Sequence, residues 1–211
     1  DGEVGEGGKG AGEGKSVPSD AVELRRRVGV LLGLPVDKFE RKVVYLARKV
    51  SRGFTEETEI KLQDLFTGFA KRHSLDFSTV HFSAFQTFST QVQSVWSAGI
   101  AVGIHGANLV NTMFLPSSAA LIELMPFGFS HDMYAGGGGA GLHYFLLPIA
   151  VGEEFHRLRP NETRKECIRN SGACKNWYRG DNRNLRMGEE DLRAIGGYLE
   201  QAVELVYGKR G

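Results

Sequence analysis

Along this chain, short runs of consecutive apolar residues alternate with longer segments whose apolar positions recur every three or four residues. The first pattern predicts buried strands, and the second predicts helices that lay one face on a sheet. Residues 42–47, 76–82, 100–104, 119–125 and 142–151 read as strands. Ser19-Asp20 offers an N-cap for a helix through Leu32, which Gly33 and Pro35 end. Residues 57–73 read as an amphipathic helix with Ile60, Leu62, Leu65, Phe66 and Phe69 toward the sheet. Residues 88–98 read as another, and residues 189–207 as a closing one that carries Leu192, Ile195, Leu199, Val203 and Val206 on one stripe. Strands alternating with helices predict an α/β fold, a Rossmann-like parallel sheet flanked by helices.

The pattern is densest over residues 99–128, GIAVGIHGANLVNTMFLPSSAALIELMPFG. A strand ends at Ile104. His105-Gly106-Ala107-Asn108 makes a small polar turn, and Leu109, Val110, Met113 and Phe114 follow at helical spacing before Pro116. Strand, turn, short helix and strand form a βαβ unit, whose ligands sit beyond the carboxyl ends of the strands. The free N–H groups and positive dipole end of the short helix suit a phosphate. Glu123, near the end of the next strand, is placed to accept hydrogen bonds from ribose hydroxyls. Arg48 and Arg52 follow the first strand on the same edge, where guanidinium groups pair with phosphate oxygens. A solvated basic loop is the other reading of those arginines. Phe85, in the loop after the second strand, reads as core-facing before base-stacking.

Composition narrows this picture. The chain has 211 residues, 28 of them glycine, with 26 basic and 25 acidic side chains, so nothing in its charge calls for nucleic acid or an anionic membrane. Residues 1–18 are glycine- and glutamate-rich and are expected to be a disordered linker, leaving 19–211 as one domain. No apolar run approaches the ~20 residues of a membrane span. The acidic start is not a secretory signal, and the chain is expected to be a piece of a longer protein. Cys167 and Cys174 stand in a polar segment, either bridged in an oxidising compartment or two surface thiols; no metal site is expected from them. Asn161-Glu162-Thr163 is an acceptor sequon for N-glycosylation. Gly136 to Gly139 reads as a connection before it reads as a flap over a site.

The residues Gly103-Ile104-His105-Gly106-Ala107-Asn108-Leu109-Val110-Asn111, Met113-Phe114-Leu115-Pro116 and Leu121-Ile122-Glu123-Leu124-Met125-Pro126 closely resemble the signature of glycosyltransferase family 61. Its pattern is roughly G-x-H-G-A-G-L-T-N-x-x-F-x-P, followed by a hydrophobic strand with V-E-x-x-P. Asn108 replaces the usual glycine and Val110 the usual threonine; asparagine tolerates positive φ, so the turn is expected to survive. Arg48, Arg52 and Glu57 match a second family segment, and Asn184-Leu185-Arg186-Met187 resembles the short strand before the last helix. The resemblance implies the C-terminal half of a GT-B fold, binding a UDP-sugar without a cofactor or metal. It also implies inverting transfer of a pentose or N-acetylglucosamine to a glycan or glycoprotein acceptor in the lumen of the endoplasmic reticulum or Golgi. Arg48, Arg52 and His105 to Asn108 would hold the diphosphate, and Glu123 the ribose or sugar. The general base would come from the missing N-terminal half, which would also carry any membrane anchor. The alternative from another class is a non-catalytic nucleotide-sugar-binding or scaffold module. A nicotinamide dehydrogenase ranks low, because no G-x-G-x-x-G follows the first strand.

Overall fold

The computed structural model describes residues 19–36, 39–48, 53–83, 86–126, 129, 134, 141–149, 161, 163–169 and 185–208. In chain order these hold α1 (Ser19–Leu32), β1 (Glu40–Ala47), α2 (Glu56–His73), β2 (Asp76–His81), α3 (Phe88–Val95) and β3 (Ala98–Ile104). A 3₁₀ helix (Ala107–Phe114), β4 (Ala120–Met125), β5 (His143–Pro148), α4 (Arg164–Arg169) and α5 (Glu189–Tyr207) follow. The five strands form one sheet in the order β2-β1-β3-β4-β5, and every pairing is parallel. β1, from Val43 to Ala47, β3 and β4 are buried throughout. They are the near-continuous apolar runs that a sheet covered on both faces requires.

Period-two alternation sends successive side chains to opposite faces. Val43, Tyr45, Ile100, Val102, Ile122 and Leu124 pack under α2 and α5, against Leu62, Phe66, Phe69, Ile195 and Leu199. Val44, Leu46, Ala101 and Leu121 pack under α1, α3 and the 3₁₀ helix, against Val28, Val92, Val95, Leu109 and Phe114. Helices thus lie on both faces. The chain passes from β1 to β2 on one side and returns to β3 on the other, so the order of strands reverses direction between β1 and β3.

Local chemistry sets the element ends. The Thr55 and Thr87 hydroxyls accept from the N–H groups of Thr58 and Thr90, which caps α2 and α3. Ser74 ends α2 in a left-handed conformation, φ 50°. Arg25 ties α1 down. Its buried guanidinium donates to the carbonyls of Phe114 (3.2 Å), Val36 (2.8 Å) and Trp96 (3.0 Å) and lies 4.1 Å from the centre of a Trp96 ring.

Two local expectations come out differently. The helix after the glycine turn is 3₁₀; eight residues with a Thr112 hydroxyl bonded to the Leu109 carbonyl (2.6 Å) favour the tighter i, i+3 winding. The short strand before α5 is reduced to a single parallel bridge, Phe54 with Leu185. The polar stretch after β5 includes α4, with the Thr163 hydroxyl and Glu166 bonded to each other at its start. The expected linker at 1–18, the glycine run at 136–139, Phe85 and Cys174 lie outside the described residues. Cys167 falls in α4.

Candidate functional site at the sheet's reversal point

The carboxyl ends of β1 and β3 flank the place where strand order reverses, which is where open α/β sheets bind ligands. Arg48 is the first residue past β1 and His105 the first past β3. By alternation both continue the face that carries Leu46 and Gly103. Gly103 has a steric task there. An added Cβ would stand 2.7 Å from Leu109 Cδ2 and 3.1 Å from Leu46 Cβ, so its bare backbone lets the 3₁₀ helix close onto the sheet.

The corner itself is fixed from several sides. The His105 N–H donates to the Leu124 carbonyl (2.9 Å), which extends the β3–β4 ladder by one residue. Gly106 then turns out of the sheet with φ 144° and ψ −171°, a backbone region essentially limited to glycine. Its carbonyl accepts from the Leu109 N–H and from the Tyr134 hydroxyl, both at 2.9 Å. Leu109 supplies the first N–H of the 3₁₀ ladder, so the N–H groups of Ala107 and Asn108 precede it and cannot be satisfied within the helix. Ala107 is exposed and Asn108 half-buried. Asn108 does not use the positive φ it was expected to tolerate; Ser74 and Ser118 are the non-glycine residues with positive φ among those described. The sharp turn falls on Gly106, so the position held by Asn108 makes no backbone demand for glycine.

His105 is 5% exposed and Glu123 is fully buried. His105 Nδ1 lies 2.5 Å from Glu123 Oε1, and the Tyr144 hydroxyl donates to Glu123 Oε2, also at 2.5 Å. Phe129 and Tyr134 flank the imidazole with ring centroids at 5.6 and 6.1 Å. Glu123 therefore spends both oxygens inside the protein. Through Oε1 it orients the imidazole of His105.

Arg48 is half-buried. Its Nη1 is buried and has no hydrogen-bond partner among the described residues. Burial holds the guanidinium below its usual range, opposed by the nearby Tyr134 phenol. Because Tyr134 also bonds the Gly106 carbonyl, Arg48 and the corner share one neighbourhood. A buried guanidinium N–H without a partner among the described residues is costly, and an anion would satisfy it.

Arg52 lies outside the described residues. Asn161 is exposed. Glu57 sits on the surface, paired with Lys61 at 3.0 Å. Sequence reasoning missed Tyr134, Tyr144 and Phe129. Tyr144 stands in an apolar strand and reads as core; its role depends on β5 lying beside β4, which the letters do not state.

The arrangement defines an α/β domain with a candidate anion site at the reversal point of its sheet. The profile described as Glycosyltransferase 61 matches residues 17–122, just over half the chain and both strand ends of the site. The chain belongs to glycosyltransferase family 61. Among curated proteins it is similar to "Protein O-linked-mannose beta-1,4-N-acetylglucosaminyltransferase 2". With the Takifugu rubripes protein it shares 31% identity over 132 residues, 63% of this chain and 20% of that one. With the Homo sapiens protein it shares 31% over 102 residues, 48% and 16%. With the Tetraodon nigroviridis protein it shares 38% over 81 residues, 38% and 13%. The chain spans a fifth or less of the length of these relatives. A solved diflavin flavoprotein A3 from Nostoc sp. overlays at TM-score 0.36 and 10% identity, covering 78% of this chain and 96% of that one, a likeness that carries no weight here.

Proposed function

We propose that this chain is the donor-binding half of a glycosyltransferase and holds a UDP-sugar by its diphosphate. The observation that supports this reading is the buried Nη1 of Arg48, without a partner among the described residues, near the Gly106 corner. Arg48 would pair with phosphate oxygens, joined by Arg52, the N–H groups of Ala107 and Asn108, and His105. When an acceptor hydroxyl attacks the anomeric carbon from the opposite face, the bond to the diphosphate breaks. Negative charge grows on the leaving UDP, where these donors are strongest. The hydroxyl proton passes to a base outside this chain. The names of the relatives support a glycosyl donor, and the proposal extends to a donor of the pentose or N-acetylglucosamine class. The acceptor is a glycan or glycoprotein, transfer is inverting and independent of metal, and the compartment is the secretory-pathway lumen. The other half of a GT-B arrangement is supplied by sequence outside this chain.

Calorimetric titration with uridine diphosphate tests the reading. Saturable binding that disappears in the Arg48→Ala, His105→Ala double variant supports it. No saturable binding to the wild type, or full affinity in the double variant, overturns it.

A further inference from the structure

Asn161-Glu162-Thr163 is the one Asn-x-Ser/Thr triplet in the chain, and its middle residue is not the proline that would disqualify it. N-linked modification asks for an accessible amide at the first position and a hydroxyl at the third. Asn161 stands in a turn and is exposed, and Thr163 is exposed as well.

The hydroxyl is already engaged in the folded chain. Thr163 precedes α4, and its Oγ1 accepts from the Glu166 N–H (3.3 Å) and donates to Glu166 Oε2 (2.8 Å). The Thr163 N–H donates to the same carboxylate oxygen (2.7 Å). This is a capping box, in which the two residues satisfy each other's free backbone donors. The Thr163 N–H first, and its hydroxyl second, hold the Glu166 carboxyl below its usual range, so the box is closed at neutral pH. A hydroxyl held in this cap is not available to an acceptor site. Sequon and helix therefore compete for one atom, and the order of events decides between them. Asn161 takes no part in the box, so a glycan already on it leaves the cap free to close.

We propose that Asn161 is an N-glycosylation site used before α4 folds, and that the Thr163–Glu166 cap then withdraws the acceptor hydroxyl. The Asn161 amide nitrogen takes the anomeric carbon of a polyprenyl-diphosphate-linked oligosaccharide. A C–N bond forms, the C–O bond breaks with its electron pair going to the diphosphate, and one amide hydrogen leaves as a proton. The site rests on the lumenal reading above for its compartment, and on the exposed turn and the capping box for its timing.

The full chain, sent into the secretory pathway of cultured eukaryotic cells by a cleavable signal peptide, tests the site. It is expected to carry an oligosaccharide that peptide-N-glycosidase releases, and Asn161→Gln is expected to lose it. A bare Asn161 in that chain overturns the site, whatever compartment the natural protein occupies. A glycan there, with Asn161 bare in the natural full-length protein, keeps the acceptor and sinks the lumenal reading.

The timing is tested on the unmodified chain made in bacteria, folded, and offered to oligosaccharyltransferase with a lipid-linked donor. Glu166→Ala opens the cap and keeps the sequon, so its initial rate is expected to rise about fivefold, the worth of one N-cap. Glu166→Gln removes the charge and keeps the box, and is expected to stay at the wild-type rate. All three proteins are first shown to melt cooperatively. Equal rates for the wild type and Glu166→Ala overturn the cap's role, and so does a rise that Glu166→Gln shares.

Discussion

Arg48 and Gly106 place opposite demands on the fold. A buried guanidinium N–H without a partner among the described residues costs stability in the free chain, a cost that a bound anion would offset. Arg48→Ala is expected to leave the melting temperature unchanged or raise it, while affinity for uridine diphosphate falls about 10- to 100-fold, the worth of a hydrogen bond to a charged group. Paired melting and calorimetry check this; a destabilised variant that binds normally would assign Arg48 to structure. Gly106 works the other way. Its φ of 144° is closed to side chains, and Gly106→Ala is expected to cost about 1–3 kcal/mol in denaturant unfolding and to weaken binding with it. Asn108→Gly is expected to leave binding intact, because position 108 has no positive φ to relieve. The two residues were unequally legible. Arg48 and the glycine turn were placed by strand ends alone. The partners of Glu123 were not, because His105 follows β3 and Tyr144 stands in β5, and only strand order brings both beside β4.

At the scale of elements, the 3₁₀ helix is seated by absence and by reach. Gly103 leaves room for Leu109, and Arg25 reaches from α1 to the Phe114 carbonyl at the helix's far end. Gly103→Ala forces Leu109 outward and is expected to cost about 1–3 kcal/mol. Leu109→Ala alone costs about 2–5 kcal/mol, but in the double variant the new methyl partly fills the space Leu109 leaves. The double variant is therefore expected to be more stable than the sum of its parts by about 1 kcal/mol, read from a thermodynamic cycle of urea unfolding. Strict additivity would mean that the 3₁₀ helix is not seated through this contact. The helix-spaced apolar positions of residues 109–114 correctly announced a short helix. They did not announce its winding, which depends on the Thr112 hydroxyl and on how tightly Gly103 admits Leu109. Arg25 was illegible for a similar reason. In the run Arg25-Arg26-Arg27 its letters are those of a solvated face, and Arg26 and Arg27 do pair on the surface with Glu23. Only the carbonyls gathered by α3, the 3₁₀ helix and the chain after α1 give Arg25 a buried place.

Across the whole molecule the two edges of the sheet divide the work. The candidate site lies at the carboxyl ends, and the amino ends are latched by the last residue of α5. The Tyr207 hydroxyl donates to the Glu40 carbonyl (2.9 Å) and accepts from the Lys42 N–H (3.1 Å). It reaches β1 across Gly99, where an added Cβ would stand 2.0 Å from the hydroxyl. Tyr207→Phe is expected to cost about 1–2 kcal/mol of stability and to leave affinity for uridine diphosphate unchanged. The latch also carries a pH signature. Burial pushes the Tyr207 phenol above its usual value of 10.0. Burial, and then the nearby Glu59, push Tyr45 well above it. The unfolded chain therefore releases these protons at lower pH than the folded one, so the folded state holds more protons and stability falls as pH rises. This contribution is whole below about pH 10 and is lost as pH climbs through the folded values. The melting temperature of the wild type is expected to drop as pH rises above about 10. Tyr207→Phe, which starts lower and has one fewer phenol to release, is expected to drop less steeply. Parallel curves for the two proteins would show that the hydroxyl ionises equally in folded and unfolded chains, and the buried latch would have to be abandoned.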